Sequence, residues 1–186
     1  MASIRWPAAL FLGAVAFVPA QANESVWDAL RAPGAVVVVR HSYAPGAFDP
    51  PTARLDDCST QRNLDDNGRA QARRIGEAFR QHGVAVGTVL SSPRCRCLDT
   101  ARIAFGRAES WDVLQGALND AERRQRAVAL IRKKIGEHRG ALPLVIVTHG
   151  SVVSDLTGVD VRMGAFVVLR RIADGAHTVA GQLYVD

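Results

Sequence analysis

Four consecutive valines, Val36 to Val39, place the strongest constraint on how this chain of 186 residues folds. A run without polar residues is typical of a strand whose two faces are both buried. Two further apolar runs occur later, in VGTVLSSP and in LPLVIVTHG, and amphipathic stretches separate the three. This alternation of buried strands with amphipathic stretches predicts an α/β fold.

The amphipathic stretches predict three helices. The first lies in DDNGRAQARRIGEAFRQHG, with Asp65 or Asp66 as its N-cap, and the second runs from Pro93 to about Phe105. The third lies in AERRQRAVALIRKKIGEHRG, and one of its faces carries the residues that we expect to be buried: Ala127, Leu130, Ile131, Lys134 and Ile135.

Shorter signals complete the predicted order of elements. The segment from Ser42 to Asn63 is rich in Pro, Gly and Asp, and a loop of this length is usually functional or disordered. Ser151 is expected to cap a short helix that ends at Gly158. GAFVVLRR and TVAGQLYV predict two final strands that run antiparallel.

Length and charge narrow the class of protein. The formal net charge is +5 and 48% of the residues are hydrophobic, which suits one domain with a sizeable core. The basic residues are dispersed and no nucleic-acid motif accompanies them, so we expect no nucleic-acid partner. A small phosphorylated substrate is compatible with the same charge.

The first 22 residues have the features of a secretory signal peptide. Arg5 precedes the apolar run PAALFLGAVAFV, and Ala20 and Ala22 form the small-x-small pattern that signal peptidase accepts. We therefore expect cleavage after Ala22, a single mature domain of residues 23–186, and a periplasmic protein without stable membrane insertion. An uncleaved membrane anchor is the alternative, although the apolar run is short for a bilayer.

The three cysteines predict one disulfide. In an oxidising compartment, an odd number leaves at least one thiol unpaired. Cys95 and Cys97 are close in sequence, so we expect a bridge from Cys58 to one of them. No fourth soft ligand with suitable spacing is evident, so we expect no metal.

Each apolar run is followed by polar residues that can bind an anion. Arg40 and His41 follow the first run, Arg96 lies just after the second, and His149 ends the third. In α/β sheets, ligands bind outside the carboxyl ends of parallel strands, and helix N-termini there favour anions. We expect these four side chains to form a phosphate site.

The segments VVVVRHS, SSPRCRCLDTARIAF and LVIVTHGSVVSDLTG resemble the histidine phosphatase superfamily, which has the phosphoglycerate-mutase-like fold. The shared motifs are the Arg-His pair, a Ser-x-x-x-Arg-x-x-x-Thr-Ala run, a Leu-x-x-x-Gly-x-x-Gln-Ala segment and a late histidine. They occur in the same order over nearly the whole mature chain, and the compact size resembles the small phosphatase branch. The resemblance implies a three-layer α/β/α sandwich with a mixed, mostly parallel sheet.

The resemblance also implies roles for the residues of the site. His41 is the expected nucleophile, Arg40 and Arg96 hold the phosphate oxygens, and His149, protonated beside the dianion, donates a further hydrogen bond. Substrate-binding residues are expected at Ser42 and Gly150. The loop after His41 adds Arg62, which either contacts the phosphate or pairs with Asp56 or Asp57. Ser42 stands where the family usually has glycine. No cofactor is implied.

The proton donor to the leaving group is less clearly marked. Asp120, in ALNDAERR, is the main candidate because it resembles a Leu-Asn-Glu element of the mutases, and Glu122 and Asp57 are rivals. A simpler interpretation makes Asp120 the N-cap of the basic helix.

These expectations combine into an exported phosphomonoesterase that acts through a phosphohistidine intermediate on a small substrate such as a sugar phosphate or an envelope glycan. A neutral His41 and a cationic His149 would give a bell-shaped pH profile. The alternatives are a protein that binds a phosphorylated ligand without turnover and a protein-phosphohistidine phosphatase.

Overall fold

The computed structural model describes residues 20–116, 120–172 and 175–185, with side chains from residue 25 onward. The expected signal peptide, residues 1–22, lies outside these ranges except for its last residues. Its cleavage and the mature domain of residues 23–186 therefore stay predictions. Within the described ranges, no helix is both long and apolar enough to cross a bilayer.

Five α-helices, two short 3-10 helices and six strands form the regular elements of the described part of the chain. The helices are Ala20–Arg31 (α1), Asp66–Gln81 (α2), Cys95–Phe105 (α3), Ala121–Glu137 (α4) and Gly150–Thr157 (α5). The strands are Val36–Arg40 (β1), Val89–Ser91 (β2), Glu109–Ser110 (β3), Leu144–Thr148 (β4), Phe166–Arg171 (β5) and His177–Leu183 (β6).

The strands form one sheet in the order β3-β2-β4-β1-β5-β6. The first four strands in this order are parallel, whereas β5 runs antiparallel to both β1 and β6. Arg40 pairs with Thr148, and Ser91 pairs with Val147, so the carboxyl ends of β1, β2 and β4 lie at one edge. The predicted mixed, mostly parallel sheet is confirmed.

The valines of β1 are buried on both faces of the sheet. Val37 and Val39 pack in a core with α1, α2 and α3, whereas Val36 and Val38 pack in a second core with α4 and α5. Successive side chains of a strand point to opposite faces, so a run of valines serves two cores at once. The result is the expected three-layer α/β/α sandwich.

Several local predictions were wrong. Helix α4 buries a narrower stripe than predicted: Ile131 and Ile135 are buried, but Leu130 is 50% exposed and Lys134 is exposed. Helix α5 begins at Gly150 with His149 as its N-cap residue, rather than with a cap at Ser151. Gly158 ends α5 as predicted, and it adopts a left-handed conformation there.

Candidate active site

The carboxyl ends of β1, β2 and β4 border one cavity of about 590 Å³. All four side chains that were expected to form the phosphate site line it: Arg40, His41, Arg96 and His149. The two imidazole rings are 5.5 Å apart between centroids and lie edge to face. Parallel strands therefore bring together groups that are more than 100 residues apart in the chain.

His41 lies at the floor of the cavity, directly after β1, with only 2% of its surface exposed. Its Nδ1 lies 2.8 Å from the carbonyl oxygen of Ser42. A carbonyl can only accept, so Nδ1 carries the proton and Nε2 keeps its lone pair. Burial lowers the pKa of His41 to about 3, and the charges of nearby arginines add to this effect. The ring is neutral at physiological pH.

Arg40 is held in place by the backbone of two other segments. Its Nη1 donates to the carbonyl oxygen of Val161 at 2.7 Å. A Cβ atom added to Gly150 would lie only 3.1 Å from the Cζ of Arg40. The glycine therefore lets the guanidinium lie against the first turn of α5, beside its free N–H groups.

Arg62 and Arg96 are also anchored through Nη1. Arg62 donates to the carbonyl oxygens of Ala44 and Gly46 at 2.6 and 2.8 Å. Arg96 donates to both carboxylate oxygens of Asp49 at 2.9 and 3.0 Å. Each guanidinium is therefore fixed by its own protein surroundings before any ligand binds.

The Nε atoms of Arg40, Arg62 and Arg96 are buried and have no hydrogen-bond partner within the described part of the chain. A buried donor without a partner costs about 1–3 kcal/mol. An oxyanion in the cavity would relieve this cost, because phosphate oxygens accept from guanidinium N–H groups in matching geometry. Nε of Arg74 and of Arg171, which do not line the cavity, are also without a partner among the described residues, so it is the clustering of three such donors around one cavity that favours an oxyanion ligand.

His149 completes the site from the end of β4. Its Nε2 lies 2.9 Å from Oγ of Ser92, and its Nδ1 lies 3.5 Å from Nη2 of Arg96. Burial lowers the pKa of His149 well below its ordinary value, and the charge of Arg96 lowers it further. His149 is therefore neutral in the unliganded site, and its expected cationic form beside a bound dianion stays a prediction.

Residues 36–117 match the model of the histidine phosphatase superfamily, branch 1. This match covers β1, α2, β2 and α3, and it includes both Arg40-His41 and Arg96. Over these residues, the chain is similar to the histidine phosphatase superfamily.

Solved structures of phosphatases share the fold. The protein histidine phosphatase SixA, solved with tungstate, is 20% identical with a TM-score of 0.58, and the match covers 81% of this chain and 96% of SixA. A phosphoserine phosphatase from Entamoeba histolytica, solved with 3-phosphoglyceric acid, is 14% identical with a TM-score of 0.61, and the match covers 82% of this chain and 98% of that enzyme. A search of curated protein sequences found no match.

The superfamily motifs outside the cavity hold the loop that follows His41. Thr100 Oγ1 accepts from the backbone N–H of Ser42 at 3.0 Å, and the side-chain oxygen of Gln71 accepts from Tyr43 at 2.8 Å. A Cβ on Gly68 would lie 1.9 Å from the carbonyl oxygen of Tyr43. Only glycine at this position lets α2 approach the loop so closely.

The loop of residues 42–63 closes one side of the cavity and is joined covalently to α3. A disulfide links Cys58 to Cys95, the residue directly before Arg96, which confirms a bridge from Cys58. The side-chain oxygen of Gln61 also accepts from the backbone N–H of Cys95 at 3.0 Å. Cys97 is the remaining thiol; it is buried about 3.8 Å from His149, and burial raises its pKa to about 12.

The predicted proton donors do not line the cavity. Asp120 caps α4, because its carboxylate accepts from the backbone N–H of Arg123 at 2.9 Å. Glu122 pairs with Arg126, and Asp57 caps the short 3-10 helix Cys58–Thr60. The cap interpretation of Asp120 therefore describes the structure, and its expected catalytic role finds no geometric support.

Two of the three residues that were expected to bind substrate line the cavity, and one does not. Arg62 and Gly150 line the cavity, whereas Ser42 is fully buried and does not. Ser42 instead contributes its carbonyl oxygen, which fixes the tautomer of His41.

Sequence reasoning missed several residues of the cavity lining, among them Asp49, Arg94 and Asp160. All three lie in loops or at a helix end, where the sequence has no periodic pattern from which the orientation of a side chain could be predicted. Asp49 and Asp160 are the carboxylates among the lining residues, and Asp160 is exposed. Within the described ranges, no group of three or more His, Cys, Asp or Glu residues is placed to hold a metal ion.

Proposed function

We propose that the protein is an exported phosphatase that hydrolyses phosphate monoesters of small molecules through a phosphohistidine intermediate on His41. The observation that carries this proposal is the set of three buried, unpartnered guanidinium Nε atoms beside a neutral histidine with a fixed tautomer. Such a site binds a phosphoryl group and attacks it with the same few side chains.

The first step is attack by His41. Its Nε2 lone pair forms a bond to phosphorus while the bond from phosphorus to the leaving oxygen breaks, and that oxygen departs with the electron pair. Phosphoryl transfer depends mainly on positioning and on stabilisation of charge. Arg40, Arg62 and Arg96 supply both, because their guanidiniums are anchored before the substrate arrives.

The second step is hydrolysis of the phosphohistidine. Water attacks phosphorus, the N–P bond breaks, and inorganic phosphate leaves a neutral His41. His149 is neutral in the unliganded site, and the negative charge of a bound phosphate raises its pKa. We therefore assign the cationic form of His149 to the complex.

The size of the cavity supports a substrate with an organic group beyond the phosphate. Its volume of about 590 Å³ exceeds what a phosphate group fills, and Phe48, 78% exposed, lines it with Gln115 and Ser151. An aromatic ring beside hydrogen-bonding side chains suits a sugar phosphate. SixA acts on protein phosphohistidine by its name, so that substrate is the second candidate.

Export stays a prediction that the disulfide supports. Disulfides persist in oxidising compartments and are rare in the cytosol. A mature chain that begins at Asn23 in the periplasmic fraction of expressing cells would support export, and an uncut chain in the membrane fraction would contradict it.

Trapping of the intermediate tests the function. Purified mature protein should hydrolyse p-nitrophenyl phosphate and form an acid-labile phosphoenzyme, because p-nitrophenolate leaves without a proton donor. The His41→Ala variant should lose both label and turnover, by at least about a thousandfold in kcat, and should still bind inorganic phosphate. His138→Gln, which changes a histidine outside the cavity lining, is the matched control.

Two outcomes would contradict the proposal. Full turnover by the His41→Ala variant would exclude His41 as the nucleophile. Tight phosphate binding by the unchanged protein, without turnover of any monoester or of phosphohistidine, would favour the binding protein instead.

A further inference from the structure

Asp49 is an acidic side chain in a cavity whose other charged walls are mainly arginine. Its side chain is only 13% exposed. It lies in the loop of residues 42–63, directly after the exposed Phe48. A carboxylate in an oxyanion site repels the ligand. The contacts of Asp49 must therefore explain why this side chain lies there.

The contacts of Asp49 converge on three arginines. Both of its oxygens accept from Nη1 of Arg96, and one of them also accepts from the backbone N–H of Arg62 at 2.9 Å. Nη1 of Arg94 forms an ion pair with it at 3.3 Å. Burial alone would raise the pKa of Asp49, but the Arg62 amide and the arginine charges lower it overall. The group is ionised and is not a proton donor.

The contact with Arg96 leaves one edge of the guanidinium available. Asp49 and the carbonyl oxygen of Arg62 occupy Nη1, whereas Nε has no partner in the described structure. Nη2 lies 3.5 Å from His149, on the side of the imidazoles. The Nε–Nη2 edge is a fork that matches two oxygens of a phosphate group.

We propose that Asp49 is a positioning residue that holds Arg96 by Nη1 and so presents the Nε–Nη2 edge to the oxyanion. This inference rests on the proposed function, because it assigns Arg96 to the phosphate. Asp49 and the phosphate contact different edges of one guanidinium, so they do not compete for it. The benefit of a fixed Arg96 exceeds the repulsion between the two anions.

A double-mutant cycle tests this role. Tungstate binding to the mature protein is measured by calorimetry for the unchanged chain, Asp49→Asn, Arg96→Ala and the double variant. Asp49→Asn should weaken binding at least about tenfold, although it removes a negative charge from the site. The double variant should bind no more weakly than Arg96→Ala alone, because Asp49 acts through Arg96. Asp56→Asn, an exposed carboxylate of the same loop, is the matched control.

The sign and the coupling of these effects decide the outcome. Equal or tighter tungstate binding by Asp49→Asn would overturn the proposal, since it would make Asp49 a competitor of the ligand. Additive losses in the cycle would also overturn it, since they would indicate a structural role. If Asp49→Asn fails to fold, Asp49→Glu keeps the charge but displaces it, and the same weakening is expected.

Measuring both tungstate binding and turnover distinguishes failure of the role of Asp49 from failure of the proposed phosphatase activity. Coupling of Asp49 to Arg96 in tungstate binding, without turnover of p-nitrophenyl phosphate, would contradict the phosphatase alone. Normal turnover and normal tungstate binding by Asp49→Asn would contradict only the role of Asp49.

Discussion

Individual residues of the site divide into those that face the cavity and those that hold them. His41 faces it, and the carbonyl oxygen of Ser42 holds its tautomer. His149 faces it, and Ser92 holds its Nε2. Catalytic groups need fixed orientation as much as correct chemistry, since small misplacements cost large factors in rate.

The titration of His149 gives a prediction at this scale. Its pKa is well below the ordinary value in the unliganded site, so the ring is neutral at pH 6. A bound dianion favours the cationic form of His149. Binding of the dianion at pH 6 should therefore take up close to one proton per site. Calorimetry of sulfate binding at pH 6, in buffers of different ionisation enthalpy, measures this uptake. Sulfate itself does not titrate in this range.

The His149→Gln variant provides the control for proton uptake. It should bind sulfate more weakly and take up no proton. Equal uptake by the variant and the unchanged protein would place the titrating group elsewhere.

Several of the residues that face the cavity, Arg40 among them, could be predicted from the sequence, and most of those that hold them could not. Arg40 is the last residue of β1, and His41 and His149 directly follow β1 and β4; such polar side chains are unusual beside buried strands. Asp49 follows no strand, and an Asp before a Pro is an ordinary loop signal. Its contact with Arg96 depends on the path of the loop, which only the folded chain defines.

Among the elements, the loop of residues 42–63 has the largest effect on the site. It carries Asp49 and Arg62, and the Cys58–Cys95 disulfide joins it to α3 beside Arg96. Reduction of this bond should raise KM for p-nitrophenyl phosphate several-fold, because the loop can then move away from α3. The free energy of unfolding should fall by about 4 kcal/mol, as expected for a closed loop of this length. Kinetics and denaturant unfolding with and without dithiothreitol measure both.

The Cys58→Ser/Cys95→Ser double variant is the control for reduction. It should resemble the reduced protein and should not respond to dithiothreitol. A variant that matches the oxidised protein in KM would contradict any role of the disulfide in ordering the site.

The long helices and strands could be predicted from the sequence, and the two-residue strand β3 could not. Strands β1 and β4 and helix α2 have clear patterns, and Asp65 caps α2 as one of the two predicted residues. Strand β3 has two residues, too few for any period, and it is defined only by pairing with β2. Leu130 is exposed because the buried stripe of α4 is narrow: Ile131 and Ile135 are buried, and Leu130 lies outside that stripe.

At the scale of the whole molecule, the buried histidines make stability depend on pH. His41 has a pKa of about 3 when folded and about 6.5 when unfolded, so the unfolded chain binds more protons between these values. The free energy of unfolding should therefore fall as the pH falls below 6.5, by up to about 1.4 kcal/mol per pH unit for this group. Above pH 6.5, His41 does not change the pH dependence of the free energy of unfolding. Denaturant unfolding at pH 7, 6, 5 and 4 measures the effect.

The His41→Gln variant should lose less stability than the unchanged protein over the same pH range. Parallel curves for the two proteins would show that His41 is not buried in its neutral form.

The chemistry of the cavity comes from the sheet edge, whereas much of its rim comes from one covalently closed loop. This division has an evolutionary consequence. Insertions or replacements within residues 43–57 can change which organic group fits, while His41 and the strand that it follows stay the same. Descendants of one ancestral chain could thus diversify in substrate by exchanging a single tethered segment.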